Sequence, residues 1–246
     1  MEQISRTQES PKQSWERFAR EDPYTYILTG LKNGDRRAFW QSGFQIVQEE
    51  LLSLVKSRGM FPRTGMELGC GVGRLVFPLA LHFQEIVGVD IAETMIERAR
   101  CFARDNQIRN VRFSSISGPE DLLHRVGNYE RKISFLYSLL VFQHIPDWSM
   151  IEGYLHVISL LLEKEGIAYL QFDTRPKNFA YQLKSNLPDF LLPRFWRKGI
   201  RRIRRSPDEI EAGIRKAGLE ILGELAPSSP YHRYILRRIP QAATPS

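Results

Sequence analysis

The sequence predicts an α/β protein built on a mainly parallel sheet. Strand-like and helix-like stretches alternate from residue 65 to residue 172, a glycine-spaced turn joins the first strand to the first helix of that series, and the two closing strands are separated by only Pro-Ser-Ser-Pro.

The elements follow in order. Residues 1–13 are polar without a period and are expected to be a disordered leader. Residues 14–60 carry Trp15, Phe18, Tyr24, Tyr26, Phe39, Trp40 and Phe44 ahead of an amphipathic helix near 45–56, and are expected to form an aromatic, helical lid. The main domain runs over 61–239. Its strands are expected at 65–68, 84–89, 111–114, 133–137 and 167–172, with helices at 74–82, 93–104, 119–125 and 148–163. A basic helical insertion follows at about 176–205. The next helix opens on a capping box, with Ser206 as N-cap, Pro207 at the first helical position and Glu209 three residues on, and Gly218 ends it. Strands at 219–225 and 231–236 should pair antiparallel, because their four-residue link is too short for a crossover. Residues 240–246 are expected to fray.

Composition narrows the class. The 246 residues can bury one full core, and 42% hydrophobic with 26% charged residues suggests neither disorder nor a membrane protein. The apolar run at 133–145 is far below the ~18 residues of a membrane span, and the first residues have no apolar signal core, so a cytoplasmic location is expected. Cys70 and Cys101 are too few for a disulfide framework. Residues 194–205 hold seven basic residues and no acid; without them the net charge of +7 falls to zero. The basicity is therefore a local patch.

Met-Glu-Leu-Gly-Cys-Gly-Val-Gly-Arg-Leu (66–75) puts Gly69, Gly71 and Gly73 between a strand and a helix, where a ligand must lie against backbone without a Cβ in the way. This is the cofactor loop of a Rossmann-like sheet. Arg74 stands where a dinucleotide-binding loop has its third glycine. Glu67 beside the loop would repel a pyrophosphate and suits a cationic ligand free of phosphate, such as S-adenosylmethionine. Asp90 ends the second strand about twenty residues on, where an acid accepts ribose hydroxyls.

Those residues, with Val-Gly-Val-Asp-Ile-Ala-Glu-Thr-Met (87–95) and Ser-Leu-Leu-Val-Phe-Gln-His-Ile-Pro-Asp (138–147), resemble the successive motifs of class I S-adenosylmethionine-dependent methyltransferases, over roughly residues 63–173. The resemblance implies a seven-stranded sheet with an antiparallel last strand and helices on both faces. It also implies cofactor contacts from Glu67, Gly69, Cys70, Gly71 and Gly73, a ribose contact from Asp90, and adenine stacking on Ile91 and Met95. Arg74 and Ser138 are placed in the same cofactor-facing set. One position departs from the pattern: an acid is often found after the third strand, but here Ser117 is expected to take the adenine amino group unless Glu120 reaches back.

In methyl transfer from a sulfonium the donor is already activated, so the protein positions the acceptor and excludes water; a neutral hydroxyl also needs a base. His144, beyond the fourth strand, is the candidate base, and its competing role is to orient the turn at Pro146-Asp147. Asp173 either faces the acceptor or caps its own loop. His82, His124, His156 and His232 lack ligand spacing, and no metal site is expected.

Leu192, Phe195, Trp196, Ile200 and Ile203 fall at helical spacing among the arginines, which gives a basic amphipathic helix. It either packs as a lid with its arginines in water, meets an anionic or lipid-linked acceptor or the anionic inner face of a membrane, or binds nucleic acid. Nucleic acid ranks last, because Gln143-His144-Ile145-Pro146 replaces the Asn/Asp-Pro-Pro-aromatic turn of amino methylation, and neither cysteine stands where a C5-methylating nucleophile is expected. The expected activity is O-methylation of a small-molecule or glycan acceptor. The competing expectations are an NAD-dependent oxidoreductase and a non-catalytic cofactor-binding scaffold at an anionic membrane.

Overall fold

The structure, a computed structural model, describes residues 10–28, 35–187, 191–192 and 202–240. Its strands are β1 (Thr64–Leu68), β2 (Glu85–Asp90), β3 (Val111–Ser115), β4 (Ile133–Ser138), β5 (Leu162–Phe172), β6 (Leu219–Leu225) and β7 (His232–Arg238). They form one sheet in the order β3-β2-β1-β4-β5-β7-β6, parallel from β3 to β5, with β7 antiparallel to both β5 and β6. This is the Rossmann-like, mostly parallel seven-stranded sheet that the motifs implied. Every residue of β4 is buried, as a central strand covered on both faces requires.

Two cores cover the faces. One holds Leu155, Ile158 and Ile210 from α8 (Trp148–Leu161) and α10 (Pro207–Lys216), with Leu122 of α7 (Pro119–Val126). The other holds Leu51 and Val55, Leu79 of α5 (Val76–Ala80), and Ile96 and Ala99 of α6 (Glu93–Asp105). A third, small cluster joins Ala19 of α1 (Pro11–Glu21) and Phe39 to Val72, Ala92 and Met95. The N-terminal segment is thereby packed onto the glycine loop.

Several boundaries differ from the expectation. Residues 10–13 are not leader: Ser10 and Gln13 form a capping box that starts α1, while 1–9 lie outside the described residues. After α2 (Pro23–Ile27), the helix expected at 45–56 begins nine residues earlier, as α3 (Arg36–Ile46) capped by Asp35, and passes through a π-turn at Val47–Leu51 into α4 (Leu52–Ser57). The helix expected from residue 74 begins only at Val76, because Gly71 and Gly73 hold positive φ and cannot continue a right-handed helix. β5 starts at Leu162 instead of 167; Leu162 pairs with Ile133 across a register shift that the exposed Lys164-Glu165 disguise in sequence.

The basic helix is corrected in part. Residues 193–201 lie outside the described residues, and 202–205 are not helical: Arg204 forms a parallel bridge to Asp173 and the backbone N–H of Arg205 donates to Asp173 O at 2.9 Å. The described helix of this region is α9 (Phe179–Asn186), capped by Asn178, which its weak apolar period concealed. Of the tail, 241–246 lie outside the described residues.

Candidate active site

The sheet order reverses at β1, between β2 and β4, and ligands of open α/β sheets bind outside the carboxyl ends of the strands at such a point. A cavity of about 1090 Å³, its open mouth included, lies there.

The loop after β1 is shaped by its glycines. Gly69 and Gly71 have φ of +78° and +52°; a Cβ on Gly69 would fall 2.2 Å from Val141 and one on Gly71 2.7 Å from Ile27. The backbone N–H groups of Gly69 and Cys70 donate to Val89 O, which ties the loop to β2. Asp90 Oδ2 accepts the Gly71 N–H at 2.8 Å and Oδ1 accepts the Ala92 N–H at 2.9 Å. A carboxylate offers about four lone-pair positions, so two remain for ribose hydroxyls.

Glu67 is buried at 3% exposure, and Tyr137, its register partner on β4, donates to Oε2 at 3.2 Å. Burial pushes the Glu67 carboxyl well above the usual carboxylate range, against the opposing pull of the Arg74 guanidinium and the Tyr137 hydroxyl. Burial likewise raises Asp90 and lowers Arg74. It also drives the Cys70 thiol well up, with the charges of Asp90 and Glu67 adding to the effect, so Cys70 is no nucleophile. Two buried acids that resist ionisation beside a backbone cradle suit a cationic ligand, which restores their charge. S-adenosylmethionine fits this donor set.

The cavity gathers Glu67, Gly69, Cys70, Gly71, Arg74, Asp90, Ile91, Met95 and His144. Gly73, Ser117 and Ser138 do not line it. Gly73 backs onto Phe77, and Ser138 Oγ donates to Leu68 O between β1 and β4. The Ser117 N–H and Oγ donate to Asp121 Oδ2 at 2.8 and 3.1 Å, leaving Ile116 as the wall; Glu120 is exposed. Asp173 is spent on Arg175, whose side chain it pairs at 2.6 Å and whose N–H it accepts. Of the aromatic segment, Trp15 and Tyr26 line the cavity, whereas Tyr24 and Trp40 pack against Phe39.

His144 ends a short 3-10 turn (Phe142–His144). Trp15 packs edge-on against its ring. Gln143, whose Oε1 accepts from Gln171 at 3.3 Å, sets its amide nitrogen 3.2 Å from His144 Nε2. The residues that flank His144 in the chain and line the cavity are apolar: Leu139, Leu140, Val141, Ile145, Pro146 and Met150. Leu140 has φ +63°, a left-handed conformation rare for a branched residue, which the turn out of β4 imposes. Ile27, Leu140, Val141 and Tyr137 were missed in sequence; only Tyr137, in a strand adjacent to that of Glu67, left a signal there.

Residues 66–168 match the family model described as a methyltransferase domain, a span that includes the loop, both acids and His144. Over that span the chain is similar to the class I S-adenosylmethionine-dependent methyltransferases. An O-methyltransferase of ubiquinone biosynthesis from Acinetobacter baylyi is 24% identical to this chain over 165 residues, 66% of either protein. A 23S rRNA uracil-C5 methyltransferase from Marinomonas is 48% identical over 48 residues, 20% of this chain and 11% of that one. The chain thus spans less than two thirds of the length of these curated relatives. A solved S-adenosylmethionine-dependent methyltransferase from Clostridium acetobutylicum shares the fold, with a TM-score of 0.63 at 15% identity, over 92% of this chain and all of that one. The matches give no support to an NAD-dependent oxidoreductase or a non-catalytic scaffold. Among the described residues no group of side chains could hold a metal ion, and no helix is long and apolar enough to cross a membrane.

Proposed function

We propose that this protein methylates a hydroxyl of a small, largely apolar acceptor, with His144 as the base. The observation that carries the proposal is the composition of one cavity: buried acids and a glycine cradle on β1 and β2, and an apolar run of lining residues on either side of His144 in the chain. Such a wall favours an uncharged ring or chain over a phosphorylated sugar or a glycan, whose many hydroxyls would lose their partners on entry. The likeness to an O-methyltransferase of ubiquinone biosynthesis supports oxygen as the methylated atom.

In this proposal Asp90 takes the ribose, Ile91, Met95 and Ile116 sandwich the adenine, and Glu67 holds the cationic end. The cofactor supplies an activated methyl group. Transfer breaks the methyl–sulfur bond, forms a methyl–oxygen bond and passes the hydroxyl proton to His144. The Nδ1 atom of His144 is buried, and Nε2, whose lone pair faces the Gln143 amide N–H, would receive that proton in exchange for the amide's hydrogen bond. Trp15 and Tyr26 of the N-terminal lid exclude water from the reacting atoms. The basic segment 194–205 would bring the protein to an anionic membrane or an apolar acceptor dissolved in it. A methyl-release screen over phenols, aliphatic alcohols and sugars tests the proposal: phenols or lipophilic alcohols should turn over, and turnover of sugars alone would overturn the acceptor class.

A further inference from the structure

We infer that Arg205 is a positioning residue, clamping the turn that carries His144 to the end of β5; the inference rests on the proposed role of that histidine. Its NH2 atom donates to two successive backbone carbonyls just past the histidine, Ile145 O at 2.8 Å and Pro146 O at 3.1 Å. Just before the histidine, Gln143 O accepts the Ile203 N–H at 2.7 Å. On the other side of the same short strap, the Arg205 N–H donates to Asp173 O and Arg204 bridges Asp173. Residues 203–205 therefore fill the gap between the turn after β4 and the end of β5, bonding to both.

The chemistry of the clamp is specific. Arg205 is 8% exposed, its guanidinium lies 5.1 Å over the Trp148 ring, and its nearest acid, Glu209, is 3.8 Å away. One guanidinium –NH2 carries two donors, enough for adjacent carbonyls, while the planar group stacks on the indole as an ammonium cannot. Bonds from a charged donor are stronger than neutral ones. Turns at strand ends lack ladder bonds of their own, and this one holds Leu140 in a left-handed conformation at its start. Without the strap, nothing else described bonds the carbonyls on either side of the His144 peptide, and its ring would lose its fixed distance to Trp15.

The test needs no acceptor. Protonated imidazole quenches a neighbouring indole, so wild-type fluorescence should fall as pH is lowered in a step that is absent in Trp15→Phe and in His144→Ala. Arg205→Gln and Ile203→Pro, each removing one side of the clamp, should shrink that step by more than half and speed amide exchange of residues 142–147 about tenfold or more. Arg205→Lys should restore part of both. S-adenosylhomocysteine affinity by calorimetry should stay within about twofold in all three, since the strap touches neither acid. An unchanged step and unchanged exchange in Arg205→Gln would overturn the inference, as would the lack of a step in wild type or exchange that rises equally in every strand. Should Arg205→Gln not fold, the other two variants decide by the same readouts. Failure of wild type to bind S-adenosylhomocysteine would defeat the methyltransferase reading and leave the fluorescence and exchange results standing.

Discussion

The Trp15 indole and the His144 imidazole meet edge to face, with centroids 5.6 Å apart and planes at 73°. One ring comes from α1 and the other from the turn after β4, so the N-terminal segment and the candidate base form a single wall of the cavity. Opening α1 would expose His144 to water at the same time as it uncovers the cofactor.

His144→Ala should leave S-adenosylhomocysteine binding within about twofold and lower turnover by about 10²–10⁴. Calorimetry and a methyl-release assay check the pair. Equal turnover would return His144 to a turn-orienting role.

Glu67 predicts a pH dependence. Its free-state pKa is raised, so the group is protonated until the pH passes well above the ordinary carboxylate value, and a cation binds its ionised form. S-adenosylmethionine affinity should therefore rise with pH through that raised pKa and then level off, with proton release on binding seen by calorimetry in buffers of different ionisation enthalpy. The fold carries the matching linkage: the stability contributed by the protonated group is present below the unfolded pKa and lost as pH rises through the folded one. Glu67→Gln should accordingly gain Tm over wild type at pH 8 relative to pH 5 in the absence of ligand, and lose the proton release.

Gly69→Ala should weaken the cofactor and the fold together. A left-handed Cβ costs about 1–2 kcal/mol, and this one also meets Val141. Thermal unfolding and calorimetry read both losses. Gly118→Ala, with open space around its Cβ and φ of 167°, should leave both unchanged.

Glu16 caps a helix other than its own. Its carboxylate accepts from the Glu93 N–H and, at 2.7 Å, from the Thr94 hydroxyl at the start of α6, whose own N-cap residue, Ala92, has no side-chain oxygen. Glu16→Ala should cost about 1 kcal/mol by denaturant unfolding and raise amide exchange in α1 and the first turn of α6 together.

The basic segment predicts a surface effect. Arg201→Glu combined with Arg202→Glu should lower flotation with vesicles of anionic phospholipid and leave it unchanged with zwitterionic ones. Equal recovery of both proteins would remove the membrane from the proposed function.

The parallel sheet, its closing hairpin and the two acids were legible because each depends on local chain chemistry. Apolar runs, glycines that must take positive φ, and an acid at a strand end announce themselves in order. The Ser10-Pro11-Lys12-Gln13 capping box was equally legible and went unread among polar neighbours. What sequence could not show were relations between distant segments. Ser117 was expected at the adenine by its position after β3, but Asp121 four residues on takes both its donors. Ile203, Arg204 and Arg205 read as helical by period, yet the unpaired end of β5 and the carbonyls of the His144 turn hold them extended, because those groups offered bonds that a surface helix would have left unmade.

The borrowed cap on α6 has a practical consequence. A version of the protein trimmed at residue 20 to discard a seemingly dispensable N-terminus would do more than unroof the pocket. It would strip the carboxylate from the start of the helix that follows Asp90, and the floor of the cavity would loosen along with its cover.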